Sequence, residues 1–159
     1  MTVLGIDVGI AITGWAAIKK NKTNSNFYSV HGYGVIRTAA KKEMCTRLKE
    51  IYDGVEELIE KYSPNHLAIE DVFYFKNQKT VIKVGQARGV CIVAGANKGI
   101  EIYDYTPLQV KQAVTGYGRA GKKQVQKMVK TILGLKEEPK PDDAADALAV
   151  AICHLNTVK

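Results

Sequence analysis

Over its first third the chain sets short apolar runs between turn-forming residues, and beyond that the spacing lengthens to that of helices. Residues 3–7, 12–18 and 27–36 are β-rich, with Gly9 and the polar cluster 21–26 as turns, so they predict a three-stranded meander. Met44, Leu48, Ile51, Val55, Leu58, Ile59 and Tyr62 recur at steps of three and four, which predicts an amphipathic helix ended by Ser63-Pro64. Residues 66–70 read as a short strand. Residues 78–96 are helix-like, although Gly85, Gly89 and Gly95 weaken the helix and imply close packing against a neighbour. A strand at 100–105, a short helix opened by Pro107, a helix at 122–133 and a last helix from Pro141 to about Leu155 complete the pattern. The order βββαβαβα with one extra short helix predicts an α/β fold, a mixed five-stranded sheet flanked by helices, in a single unit over residues 1–159.

Composition narrows this picture. A chain of 159 residues has room for one core. Its 46% hydrophobic content and mean hydropathy of -0.13 exclude a disordered or collagen-like chain. No run approaches the roughly 20 apolar residues of a membrane span, and the opening residues lack a signal-peptide pattern, so a cytoplasmic address is expected and no membrane partner. Cys45, Cys91 and Cys153 are odd in number and far apart, which argues against a disulfide framework or thiolate zinc site and predicts small core residues. The net charge of +7 is unevenly distributed: residues 72–136 hold twelve basic residues against two acids, a net +10, which leaves −3 for the rest. Such segregation is expected of a surface for a polyanion, since neutralising phosphates drives much of nucleic-acid affinity. A solvated basic face is the competing account.

The acids add chemistry. Asp7 and Glu70 each end an apolar run, at the edge of the core, where an unpaired charge is costly. In the last helix the three-residue step puts Asp143 and Asp146 on one face. Asp142 suits an N-terminal cap, whereas Asp146 lies past the first turn, where capping does not explain it. Were Asp7, Glu70, Asp143 and Asp146 to converge, their repulsion would call for divalent cations, and hard oxygen donors select Mg²⁺ or Mn²⁺. Two such ions about 4 Å apart activate a water and stabilise a leaving oxygen in phosphodiester hydrolysis. Carboxylates beside a basic surface therefore point to a nuclease, with purely structural acids as the alternative.

Five sequence blocks carry a family resemblance. They are Gly5-Ile6-Asp7-Val8-Gly9 with Thr13-Gly14, Ala68-Ile69-Glu70-Asp71-Val72-Phe73, Gly85-Gln86-Ala87-Arg88-Gly89, Gln109-Val110-Lys111-Gln112, and Asp143-Ala144-Ala145-Asp146-Ala147-Leu148. In this order they resemble the RuvC family of bacterial Holliday-junction resolvases over essentially the whole chain. The resemblance implies a ribonuclease-H-like fold, a homodimer, and Mg²⁺-dependent symmetric nicking of two like-polarity strands at a four-way DNA junction, leaving 5′-phosphate and 3′-hydroxyl ends. It implies Asp7, Glu70, Asp143 and Asp146 as catalytic ligands of two Mg²⁺ ions, with Mn²⁺ as substitute, and a branch-migration complex of RuvA and RuvB as a partner. Val8 replaces the family's usual Pro, and Asp71 and Asp142 add acids beside Glu70 and Asp143. Helix phase and the family motif favour Asp143 over Asp142 as the ligand.

Phe73-Tyr74-Phe75 cannot all face one core, because neighbouring side chains of an extended segment point oppositely. By resemblance Phe73 stacks on unpaired bases at the junction centre, with Tyr74 beside it. Lys76, Lys79, Lys83 and Arg88 would contact phosphates, with a solvated helix face as the alternative. Lys111 matches a family lysine near the acids, where a cation stabilises charge developing on the phosphate. Lys122 also matches a family position, and Lys123 and Lys127 extend the basic surface.

Residues 116–123 satisfy G-x-G-x-x-G but follow a helix instead of a strand, so they read as a flexible basic loop, Arg119 included, that touches DNA. The opening motif also occurs in sugar-kinase and actin-like ATPases, which need two such domains. His31, His66 and His154 show no ligand or catalytic spacing. A non-catalytic junction binder and a ribonuclease H acting on hybrids remain the alternatives to a junction endonuclease. Helices 44–62 and 78–96 offer the best dimer faces.

Overall fold

The computed structural model describes residues 1–21, 27–71 and 78–158. Three strands, β1 (Thr2–Asp7), β2 (Ile12–Lys20) and β3 (Tyr28–Arg37), form the antiparallel meander. Helix α1 (Met44–Tyr62) leads to β4 (His66–Glu70), which pairs parallel to β1, and α2 (Gln78–Asn97) leads to β5 (Glu101–Tyr105), parallel to β4. Three helices follow: α3 (Pro107–Thr115), α4 (Lys122–Leu133) and α5 (Asp142–Thr157). The sheet order is β3-β2-β1-β4-β5, the mixed five-stranded arrangement expected from the sequence.

Alternation along the strands divides the core in two. Leu4 and Ile6 of β1 and Leu67 and Ile69 of β4 pack with Ile51 and Val55 of α1 and Ala87, Cys91 and Ala94 of α2. Val3 of β1, Ala16 and Ile18 of β2 and Ala68 of β4 face the other way, toward α3, α4 and α5. Asp7 and Glu70 share the parity of Val3 and Ala68, so the pleat delivers both carboxylates to the α5 side. Helix α5 is buried along nearly its whole length and lies close to the sheet. A Cβ on Gly5 would fall 2.5 Å from the Ala147 carbonyl oxygen, and one on Gly14 would fall 1.9 Å from that of Asp143. Glycine on the strands and alanine on the helix therefore let α5 sit directly over β1 and β2.

Some expectations change. Gly95 packs tightly, its Cβ position 2.8 Å from Leu67, but Gly85 and Gly89 face open space, because α2 turns that side away from the sheet. Cys91 and Cys153 are buried, whereas Cys45 is exposed in the first turn of α1. Pro141 takes the N-cap position of α5, leaving Asp142 as a first-turn residue that favours the helix dipole without capping it. The loop 116–121 is held by hydrogen bonds described below. No helix among the described residues is long and apolar enough to cross a membrane.

Candidate active site

Asp7 and Glu70 end adjacent parallel strands whose register pairs Ile6 with Ile69. Their carboxyls hydrogen-bond one another. Asp7 also lies across from Gly14, against which the backbone of Asp143 packs, so the close approach of α5 brings its acidic first turns over the end of β1. The turn after Asp7 is braced. The Thr13 hydroxyl donates to the Gly9 carbonyl at 2.7 Å, and the Thr38 hydroxyl donates to that of Ile10 at 2.5 Å. Buried Arg47 donates from Nε to Thr38 Oγ1 at 2.9 Å and from Nη2 to the Ile10 carbonyl at 3.2 Å. Sequence reasoning missed Arg47, because its partners lie far away along the chain and nothing in helix periodicity singles it out.

The four acids sense one another. Burial, followed by repulsion from Glu70, Asp146 and Asp143, pushes Asp7 up to about 8, with Lys122 partly opposing. Burial and then Asp146 push Glu70 up to about 7, against the pull of Lys111 and the bond from Asp7. Asp146 is raised mainly by burial, with Lys122 opposing. The extra acid Asp142 differs: it is exposed, accepts a hydrogen bond from Gln126 Nε2 at 2.9 Å, and is held low by Lys122 and Gln126. Asp143 acts on Asp7, while Asp142 is tied toward α4.

Lysines complete the site. Lys122 Nζ stands 3.3 Å from Asp142 Oδ2 and 3.4 Å from Asp146 Oδ2. With Lys111, Glu70 and Asp146 it lines a pocket of about 200 Å³ walled by Val110, Val125 and Ala149. As the side chains lie, no three His, Cys, Asp or Glu groups among the described residues close around one point at ligating distance. A cation nonetheless fits the donor set. The groups are all carboxylate oxygens, and burial together with their mutual repulsion keeps Asp7 protonated at neutral pH, a conflict that a divalent ion would relieve.

The other candidate contacts scatter. Lys79, Lys83, Arg119, Lys123 and Lys127 are exposed. Arg88 is half-buried and its Nη2 is 2.5 Å from Asp104 and 3.8 Å from Asp71, a clamp between α2, β5 and the residue after Glu70. Phe73, Tyr74 and Lys76 lie outside the described residues. Two of the three histidines are partnered: His66 Nδ1 lies 2.8 Å from His154 Nε2, and His154 Nδ1 lies 2.8 Å from the Tyr105 hydroxyl.

This strand order with a carboxylate cluster at the ends of its central parallel strands defines an α/β nuclease of the ribonuclease-H-like class. The family profile described as crossover junction endodeoxyribonuclease RuvC matches residues 3–154. Proteins of that name from Halothermothrix orenii and Fusobacterium nucleatum are 54% and 52% identical, over 100% and 99% of this chain and 94% and 82% of theirs. The solved structure of Thermus thermophilus RuvC in complex with a Holliday junction substrate superposes with a TM-score of 0.91 at 36% identity, covering 98% of this chain and 93% of that one. The chain belongs to the RuvC family of crossover junction endodeoxyribonucleases.

Proposed function

We propose that residues 1–159 act as one unit that resolves four-way DNA junctions by paired phosphodiester hydrolysis. The reading is carried by the convergence of Glu70 and Asp146 with Lys111 and Lys122 in one pocket, with Asp7 hydrogen-bonded to Glu70 beside it. In this reading Asp7, Glu70, Asp143 and Asp146 hold the metal, Mg²⁺ with Mn²⁺ as substitute, and two ions suit four carboxylates. Bound there, divalent cations supply an acidified water and a counter-charge for the departing oxygen. The chain's own groups position and neutralise. Lys111 and Lys122 face the pocket with positive charge, where they hold the scissile phosphate and offset charge developing on it. The water oxygen forms the new bond to phosphorus as the bond to the 3′ oxygen breaks, so the ends are 5′-phosphate and 3′-hydroxyl.

A junction needs two symmetric cuts, and one chain offers one such site, so the working form is a two-fold dimer. Helix α2 presents the face for it. Ile82, Gly85, Gly89 and Val93 recur on one side, the apolar pair are 62% and 50% exposed, and the glycines leave room for close approach. The test is incubation of the protein with a synthetic mobile junction, with and without Mg²⁺, and mapping of the nicks. We expect paired cuts that require metal. Asp7→Asn should keep junction binding and lose nicking by a factor of a hundred or more, and an RNA·DNA hybrid should remain intact. Nicking that survives Asp7→Asn would sink the assignment, and cleavage of the hybrid would redirect it to a ribonuclease H.

A further inference from the structure

Two large apolar side chains on the active-site flank have no role in the mechanism above. Leu108 on α3 is 57% exposed and Tyr117, just beyond the helix, is 56% exposed. They are brought near one another, because the main chain at Gly118, the residue after Tyr117, lies against Leu108: a Cβ on Gly118 would come within 3.1 Å of Leu108 Cγ. The segment is also fixed in place. Gly116 takes a left-handed φ of 74° and donates to the Gln112 carbonyl at 2.8 Å, ending α3. The Tyr117 N–H donates to Thr115 Oγ1 at 3.1 Å, and the Tyr117 carbonyl accepts from Ala120 N–H at 3.1 Å, with Ala120 buried. An aromatic ring held outward on a pinned turn loses little freedom when something stacks on it.

The surroundings specify what that is. The turn joins α3, whose Lys111 lines the pocket, to α4, whose Lys122 does the same. Between Asp104 and Glu137 the sequence contains no acid but seven basic residues, Arg119 and Lys123 among them. An apolar platform within so uniformly positive a stretch suits a polyanion that also carries flat aromatic groups, which is a nucleic-acid strand.

We propose that Tyr117, supported by Leu108, is a stacking platform for a nucleobase of the DNA strand that enters the Lys111–Lys122 pocket. The ring holds the base while Arg119 and Lys123 hold the flanking phosphates, fixing the register of the strand relative to the carboxylates. This rests on the junction-nuclease reading above and adds a contact that the charge pattern alone does not single out.

The test measures junction affinity without metal, and nicking with Mg²⁺, for the intact protein and for Tyr117→Ala, Tyr117→Phe and Lys123→Gln. A 2-aminopurine probe is placed in turn at each position beside the cut. Tyr117→Ala should weaken binding about tenfold, leave the salt dependence unchanged and abolish the protein-induced change in probe fluorescence. Tyr117→Phe should retain all three. Lys123→Gln should instead lower the salt slope by about one while keeping the fluorescence change. An unaltered thermal midpoint in Tyr117→Ala separates lost stacking from lost folding. Wild-type cleavage with Tyr117→Ala binding and cutting normally would overturn the platform alone, and equal losses in the Ala and Phe variants would overturn it in favour of the hydroxyl. Wild-type protein that leaves the junction intact would overturn the nuclease reading and the platform with it.

Discussion

Asp7 carries the sharpest conflict between stability and chemistry in the molecule. A carboxyl whose folded pKa of about 8 exceeds its ordinary value of 3.8 binds protons more tightly in the folded state. Its contribution therefore favours folding below about pH 4 and is lost as the pH rises through about 8. Metal-free Asp7→Asn protein should consequently melt several degrees higher than wild type at pH 8, a gap that narrows toward pH 5. Mg²⁺ should raise the wild-type midpoint more than that of the variant, by scanning calorimetry in chelator and in metal. His154 works in the opposite sense. Fully buried beside His66, it is pushed down to about 4 by burial first and by its neighbour second. Its unfolded form takes up a proton near 6.5 and its folded form does not, so the stability it leaves intact above pH 6.5 declines as the pH falls toward 4. The full shift corresponds to about 3 kcal/mol. Urea midpoints of wild type and His154→Gln from pH 7 to pH 4.5 should therefore draw together by a large part of that amount.

At the scale of elements, the site depends on how near α5 comes to the sheet. Gly14→Ala would drive a methyl into the Asp143 carbonyl at 1.9 Å, and relief requires the acidic end of the helix to lift. We expect a loss of about 2 kcal/mol in denaturant unfolding, with a disproportionate fall in nicking as Asp143 and Asp146 move away from Asp7. The same helix shows what a sequence can and cannot reveal. Periodicity marked α1, β4 and α4 at their observed limits, and the step from Asp143 to Asp146 placed both acids on one face, because these are local properties of the backbone. Strand parity likewise sends Asp7 and Glu70 to one side. Contacts between distant segments were illegible: Arg88 clamping Asp104, Lys122 bridging Asp142 and Asp146, Arg47 bracing the turn after Asp7, and the outward-facing Gly85 and Gly89. Each depends on which elements become neighbours, and no spacing along the chain encodes that.

For the whole molecule, we propose that the exposed stripe of α2 sets association and that the basic stretch after Asp104 sets DNA binding. Val93→Glu puts a charge in the middle of that stripe, where the side chain is half exposed and its removal leaves the core intact. Sedimentation should show this variant shifted to monomers, and junction cleavage should change from paired cuts to isolated nicks; a dimer of unaltered affinity would move the interface elsewhere. The docking of α5 on Gly5 and Gly14 also has a consequence for synthesis. Asp7 leaves the ribosome well before Asp143 and Asp146 have been made. A chain stopped between α4 and α5 would thus present Lys111 and Lys122 without Asp143 and Asp146, and in the proposed reading it should not nick DNA until α5 docks on the sheet.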